Sequence, residues 1–139
     1  MEIKIQLTNA SICERLPAPT SGVVGAGAWV DFRGVVRGEE NGAVIAALEY
    51  EAYSPMAEME MRRIIAELAG DHHCLFVRVI HRVGIVPVGA AAICVGVAAR
   101  HRAEAFALLA GFMNRLKQDV PIWKRRALTA TELTELKTK

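Results

Sequence analysis

Residues 74–99, CLFVRVIHRVGIVPVGAAAICVGVAA, decide the fold. Cys74 to Val83 and Ala90 to Ala99 are rich in β-branched and apolar residues and read as strands. Between them lie only six residues, and three of these, Gly84, Pro87 and Gly89, are turn residues. Parallel neighbours need a crossover of a dozen or more residues, and there is no room for one here. Two adjacent strands without a helix between them point to an antiparallel or mixed sheet, and so to an α+β protein.

Working outward, Glu2 to Leu7 alternates Ile3, Ile5 and Leu7 with polar residues, a half-buried strand. Thr8 or Asn9 is placed to cap a short helix to about Leu16, and residues 17–22 form a loop. Ala26 to Val36 and Val44 to Tyr53 are expected as strands, with a flexible polar loop at 37–42. Ser54-Pro55 is a helix start, Ser at the N-cap and Pro at the first helical position, with Gly70 as the stop. His101 to Asp119 is the second clear helix. Pro121 restarts an extended segment, Ile122 to Leu128, before a polar tail with one or two helical turns.

The 139 residues are the size of one domain, so residues 1–139 are expected to form a single unit. The three cysteines form no CxxC pair and suit a reducing compartment. The N-terminus lacks a long apolar run, and the stretch from Val83 to Ala99 is too short and glycine-rich to span a membrane. A cytoplasmic protein is expected.

The net charge of +2 conceals an asymmetry. Residues 1–71 hold 6 Lys/Arg against 11 Asp/Glu, a net of −5, whereas residues 72–126 hold 9 against 2, a net of +7. Either the halves neutralise each other across the fold, or the basic segment binds an anion. Aromatic residues are few and not interleaved with the basic ones, which argues against a nucleic-acid platform. Gly25-Ala-Gly27 is only a fragment of a phosphate loop. His72-His73-Cys74 is a poor metal site, because neighbours on a strand point to opposite faces.

The second helix holds the more specific signal. Phe106, Ala110, Met113 and Lys117 share one face, which puts a lysine at the end of an apolar stripe. In the strand that follows, Ile122 and Lys124 point one way and Trp123 and Arg125 the other, so Lys124 can return toward Lys117. Two such lysines serve as nucleophile or general acid–base, or as permanent cations for a phosphate. Taken alone, Lys117 reads more readily as a solvated helix-end residue, and the setting of Lys124 is what changes that. Arg100-His101-Arg102 stands at the helix start, where backbone N–H groups attract anions.

These segments resemble a known family. Gly27-Ala-Trp-Val-Asp-Phe32-Arg-Gly34-Val-Val-Arg37, Leu48-Glu-Tyr-Glu-Ala-Tyr53, His81-Arg82-Val-Gly84, His101-Arg102 with Ala105-Phe106, and Lys117-Gln-Asp-Val-Pro121-Ile-Trp123-Lys124 are similar, in order, to motifs of the catalytic (large) subunit of molybdopterin synthase, the MoaE family. The resemblance implies an α/β hammerhead fold with two main helices. It implies a homodimer at the centre of a heterotetramer with a small ubiquitin-like sulfur carrier of MoaD type. It further implies sulfur transfer from the carrier's C-terminal thiocarboxylate to cyclic pyranopterin monophosphate, forming the dithiolene of molybdopterin, with no cofactor and no metal. By motif, Lys117 and Lys124 are the catalytic residues. Phe32, Arg37, His101, Arg102 and Met113 line the pocket for substrate or carrier tail. Ala90 and Arg126 stand where the family usually carries acidic residues, which leaves a non-catalytic, carrier-binding scaffold as the alternative.

Overall fold

The computed structural model describes residues 1–12 and 23–138. Its main sheet has four strands: β1 (Glu2–Thr8), β2 (Ala28–Val35), β6 (Phe76–Arg82) and β8 (Ala91–Ala99), in the order β1-β6-β8-β2. Strand β1 runs parallel to β6, and β8 is antiparallel to both β6 and β2. The missing crossover makes β6 and β8 antiparallel, and the parallel β1–β6 pair makes the sheet mixed.

The intervening residues are not all turn. Gly84–Pro87 forms β7, which leaves the main sheet and pairs with β5 (Ala47–Ala52), itself paired with β9 (Ile122–Leu128) in a second, antiparallel sheet. Gly84 adopts φ +82°, a left-handed conformation open to glycine, and turns the chain from one sheet into the other. The polar segment at 37–42 is not a plain loop either. Glu39–Glu40 (β3) pairs with Ala43–Val44 (β4) across Asn41 and Gly42, both at positive φ. Asn-Gly is the pair that such a hairpin turn favours. The expected strand from Val44 to Tyr53 is therefore split between β4 and β5.

Helix α1 covers Met56–Asp71, and its N-cap is Pro55. Ser54 does not cap it, because its hydroxyl donates to the Glu58 carboxylate at 2.9 and 2.8 Å. Gly70 lies inside the last turn and does not stop the helix. Helix α2 covers Arg102–Asp119, and α3 covers Ala130–Lys137. Residues 9–12 are not helical. The Thr8 hydroxyl accepts from the Ala10 N–H at 3.1 Å, a turn in place of a helix cap. The rest of the short helix expected there, and the loop at 17–22, fall outside the described residues.

Both long helices pack on one face of the main sheet. Val77 and Val79 of β6, Ile93, Val95 and Val97 of β8, and Met61, Ile64, Ile65, Leu108 and Phe112 of the helices make the larger core. Val36, Ile45, Leu48, Val86 and Ala92 make a smaller one beneath the second sheet. Among the described residues, no helix is long and apolar enough to cross a membrane.

Candidate active site

A cavity of about 430 Å³ opens where the two cores meet. Its walls come from β2 (Phe32, Gly34), the segment after it (Arg37), β5 (Leu48, Tyr50), β6 (His81), β8 (Ile93), α2 (Met113, Lys117) and β9 (Ile122, Trp123, Lys124). Glycine is required at position 34, because a Cβ there would come within 2.7 Å of the Ile93 side chain.

Five of the seven residues expected at the site meet in this cavity: Phe32, Arg37, Met113, Lys117 and Lys124. The lysines arrive as their spacing suggests. Helix α2 ends at Val120, whose extended conformation and the following Pro121 send the chain into β9. Strand β9 then runs back along β5, with Lys124 opposite Tyr50. The strict alternation expected of β9 fails beyond that point. The register jumps between Glu49 and Tyr50, so their partners are Arg126 and Lys124 and Arg125 is the extra residue. Arg126 Nε then reaches Glu49 at 2.7 Å, while Arg125 lies 3.9 Å from Glu49 and 4.0 Å from Glu51.

His101 and Arg102 do not line this cavity. They border a separate hollow at the start of α2 with Gly27, Arg100 and Ala103. A helix rises about 1.5 Å per residue, so about 22 Å of α2 separates Arg102 from Lys117. Gly27 is part of how that hollow is built, since a Cβ on it would collide with the Arg100 carbonyl. The apolar stripe of α2 is also less buried than its spacing suggests. The core face is Ala105, Leu108, Leu109, Phe112 and Leu116, whereas Phe106 is 56% exposed.

Three titratable cavity residues are not among those expected at the site from the sequence. Glu40, from the β3–β4 hairpin, places a carboxylate oxygen 3.1 Å from Lys124 Nζ. Tyr50 has its phenol pKa raised, by burial first and by the nearby Glu40 charge second. His81 is buried, and its pKa is lowered mainly by that burial. One signal for His81 was available: it has the same strand parity as the core residues Val77 and Val79. The other two depend on long-range pairing.

Several charges of the basic segment are neutralised by the acidic one, as in Arg115–Glu67 at 2.6 Å, Lys124–Glu40 and Arg126–Glu49. The charge asymmetry is therefore partly internal to the fold. No ion pair among the described residues holds Lys117. An ammonium at the C-terminal end of α2, a second one on β9 and the Arg37 guanidinium face one half-apolar space, a setting that suits an anion with an uncharged ring body. Cys74 offers no nucleophile, because burial pushes its thiol up to about 11. Among the described residues, no three His, Cys, Asp or Glu side chains come together as a metal site.

A sequence-family model described as MoaE protein matches residues 6–119. The molybdopterin synthase catalytic subunit of Thermoplasma volcanium is 39% identical over 103 residues, which is 74% of this chain and 75% of that protein. The human protein of the same name is 39% identical over 94 residues, 68% of this chain and 50% of that one. Among solved structures, the molybdopterin cofactor biosynthesis protein E of Burkholderia multivorans superposes with a TM-score of 0.73 at 32% identity, covering 91% of this chain and 90% of the other. With the family model spanning most of the chain, including Lys117 and the cavity walls up to the end of α2, the chain belongs to the MoaE protein family, which includes the catalytic subunits of molybdopterin synthase.

Proposed function

We propose that this chain is the catalytic subunit of a cytoplasmic molybdopterin synthase. In this role it accepts the thiocarboxylate tail of a small ubiquitin-like carrier and passes its sulfur to cyclic pyranopterin monophosphate. The observation that carries the proposal is the meeting of Lys117, Lys124 and Arg37 in one cavity between Phe32 and Met113. Arg37 and one lysine hold the cyclic phosphate. The other lysine stabilises the developing charge on the carrier's acyl oxygen and protonates the leaving oxygen. Phe32 and Met113 pack against the pterin ring. Exposed Val35 and Trp123 border the mouth and give the carrier's tail an apolar edge to enter along.

His101 and Arg102 are too far along α2 to reach the same substrate from within one chain. They act there only when a second copy presents its helix start, which is the role we assign to the homodimer within the heterotetramer.

Replacing either Lys117 or Lys124 by Ala is expected to lower dithiolene formation by at least a hundredfold. Fold and carrier binding should be unchanged, as measured by circular dichroism and calorimetry. Normal turnover of both variants would refute the assignment. The scaffold alternative draws support from Arg126, whose pairing with Glu49 removes a carboxylate from the solvent side of the second sheet. It predicts carrier binding with no product from the wild-type protein.

A further inference from the structure

Among the described residues, His81 is the one buried polar or charged side chain, 5% exposed, and it forms part of the cavity wall. Its Nδ1 lies 2.8 Å from the Arg82 carbonyl oxygen. A carbonyl only accepts, so Nδ1 carries the proton and donates it; in the neutral ring, which burial favours, Nε2 is then a bare lone pair. Nε2 has no hydrogen-bond partner among the described residues. The Tyr50 ring meets the imidazole edge-on, with centroids 5.4 Å apart and planes at 71°, and fixes its orientation. The result is a neutral imidazole with a locked tautomer and a free acceptor, in the same cavity as two ammonium groups. A histidine kept only for packing has no need of an unpaired nitrogen beside a pocket.

We propose that His81 is the general base for the water that frees the carrier from the substrate, an inference that rests on the sulfur-transfer function above. Once the thiocarboxylate sulfur has bonded to a substrate carbon, the carrier's terminal acyl group is joined to the substrate as a thioester. Nε2 takes one proton from a water molecule as the water oxygen bonds to the acyl carbon. The acyl C–S bond then breaks, and the sulfur leaves on the substrate as a thiolate. The carrier departs with a carboxyl group, and the imidazolium returns its proton to the thiolate or to solvent. Nothing is oxidised or reduced. The lysines steady the oxyanion formed when water adds.

The charged and titratable groups facing His81 across the cavity are Tyr50 from β5, Glu40 from β3, Arg37, Lys117 from α2 and Lys124 from β9. Three of these are cations that favour a neutral imidazole, and Glu40 is paired to Lys124. Burial acts in the same direction, so the base form is present at neutral pH.

The test uses the complete two-subunit protein with thiocarboxylated carrier and cyclic pyranopterin monophosphate, quenched at intervals and read by intact mass. His81→Asn keeps a donor for the Arg82 carbonyl and removes the Nε2 lone pair. The carrier–substrate adduct should accumulate, and carrier release should slow by about 10²–10⁴-fold. Release at the wild-type rate overturns the proposal, and so does equal loss of adduct formation and release, which marks a structural role. If the variant does not fold, the wild-type pH profile decides. Release should rise through one ionisation below the ordinary histidine value of 6.5 and then level off. A release rate that shows no such fall at any pH below 6.5 at which the protein stays folded overturns it. A wild-type protein that forms neither adduct nor dithiolene instead refutes the sulfur-transfer function itself.

Discussion

Glu40 sets the electrostatics of the cavity at the scale of single residues. Its carboxylate holds Lys124 at 3.1 Å, in a space otherwise suited to anions. An incoming phosphate has to compete with it for the ammonium. Glu40→Gln is therefore expected to tighten binding of cyclic pyranopterin monophosphate several-fold, measured by titration calorimetry. An unchanged Kd would mean that the carboxylate does not compete. His81 makes a second residue-scale prediction. Its folded pKa lies below the unfolded value of 6.5. As the pH falls through 6.5, the unfolded chain takes up a proton that the folded ring refuses, so stability present above 6.5 is lost toward lower pH. Urea midpoints should fall between about pH 7 and 5 in the wild type and fall less in His81→Asn. Lys117 and Lys124 could be paired from the sequence because a helix end, a proline and a strand start are all local signals. Glu40 and Tyr50 could not, because strand pairing brings them in from far along the chain.

Among the elements, the clearest departures from the sequence expectations are β7 and the β3–β4 hairpin. Strand β7 is four residues long and begins and ends in Gly84 and Pro87, both breakers by local rules. It is a strand because β5 offers it a partner in the second sheet, and no local signal reports that. The hairpin did carry a local signal, Asn41-Gly42, but its strands are two residues each and polar, too short for alternation to register. Helix α3 was legible as a polar helical tail, and the structure supplies its cap. The Thr129 hydroxyl accepts from the Glu132 N–H at 3.2 Å, and the Glu132 carboxylate accepts from the Thr129 N–H at 3.1 Å. Thr129→Ala should cost about 1 kcal/mol of helix stability. The loss would appear as faster amide exchange through residues 130–137, with dithiolene formation unaffected.

In the whole molecule, two cores of unequal size share one chain. Phe112 is fully buried in the larger. Phe112→Ala should destabilise the protein by about 3–5 kcal/mol, read from urea unfolding. The same change in the smaller core is not available, since its residues are Val, Ile, Leu and Ala. The mixed α+β architecture was readable because a helix-free connection between β6 and β8 permits few alternatives. The division into two sheets was not, since it follows from the turn at Gly84 and from which strand edges remain free.

The position of the cavity on the boundary between those cores has a thermodynamic consequence. Ile93 and Leu116 belong to the larger core and Leu48 and Val36 to the smaller, yet all four line the same space. A ligand seated there bridges two bodies that can loosen separately, so its binding energy resists whichever opening separates them. Saturating pterin should therefore slow amide exchange throughout β5, β7 and β9, well beyond the residues in contact. Protection confined to the contact residues would show that the two cores already open as one cooperative unit.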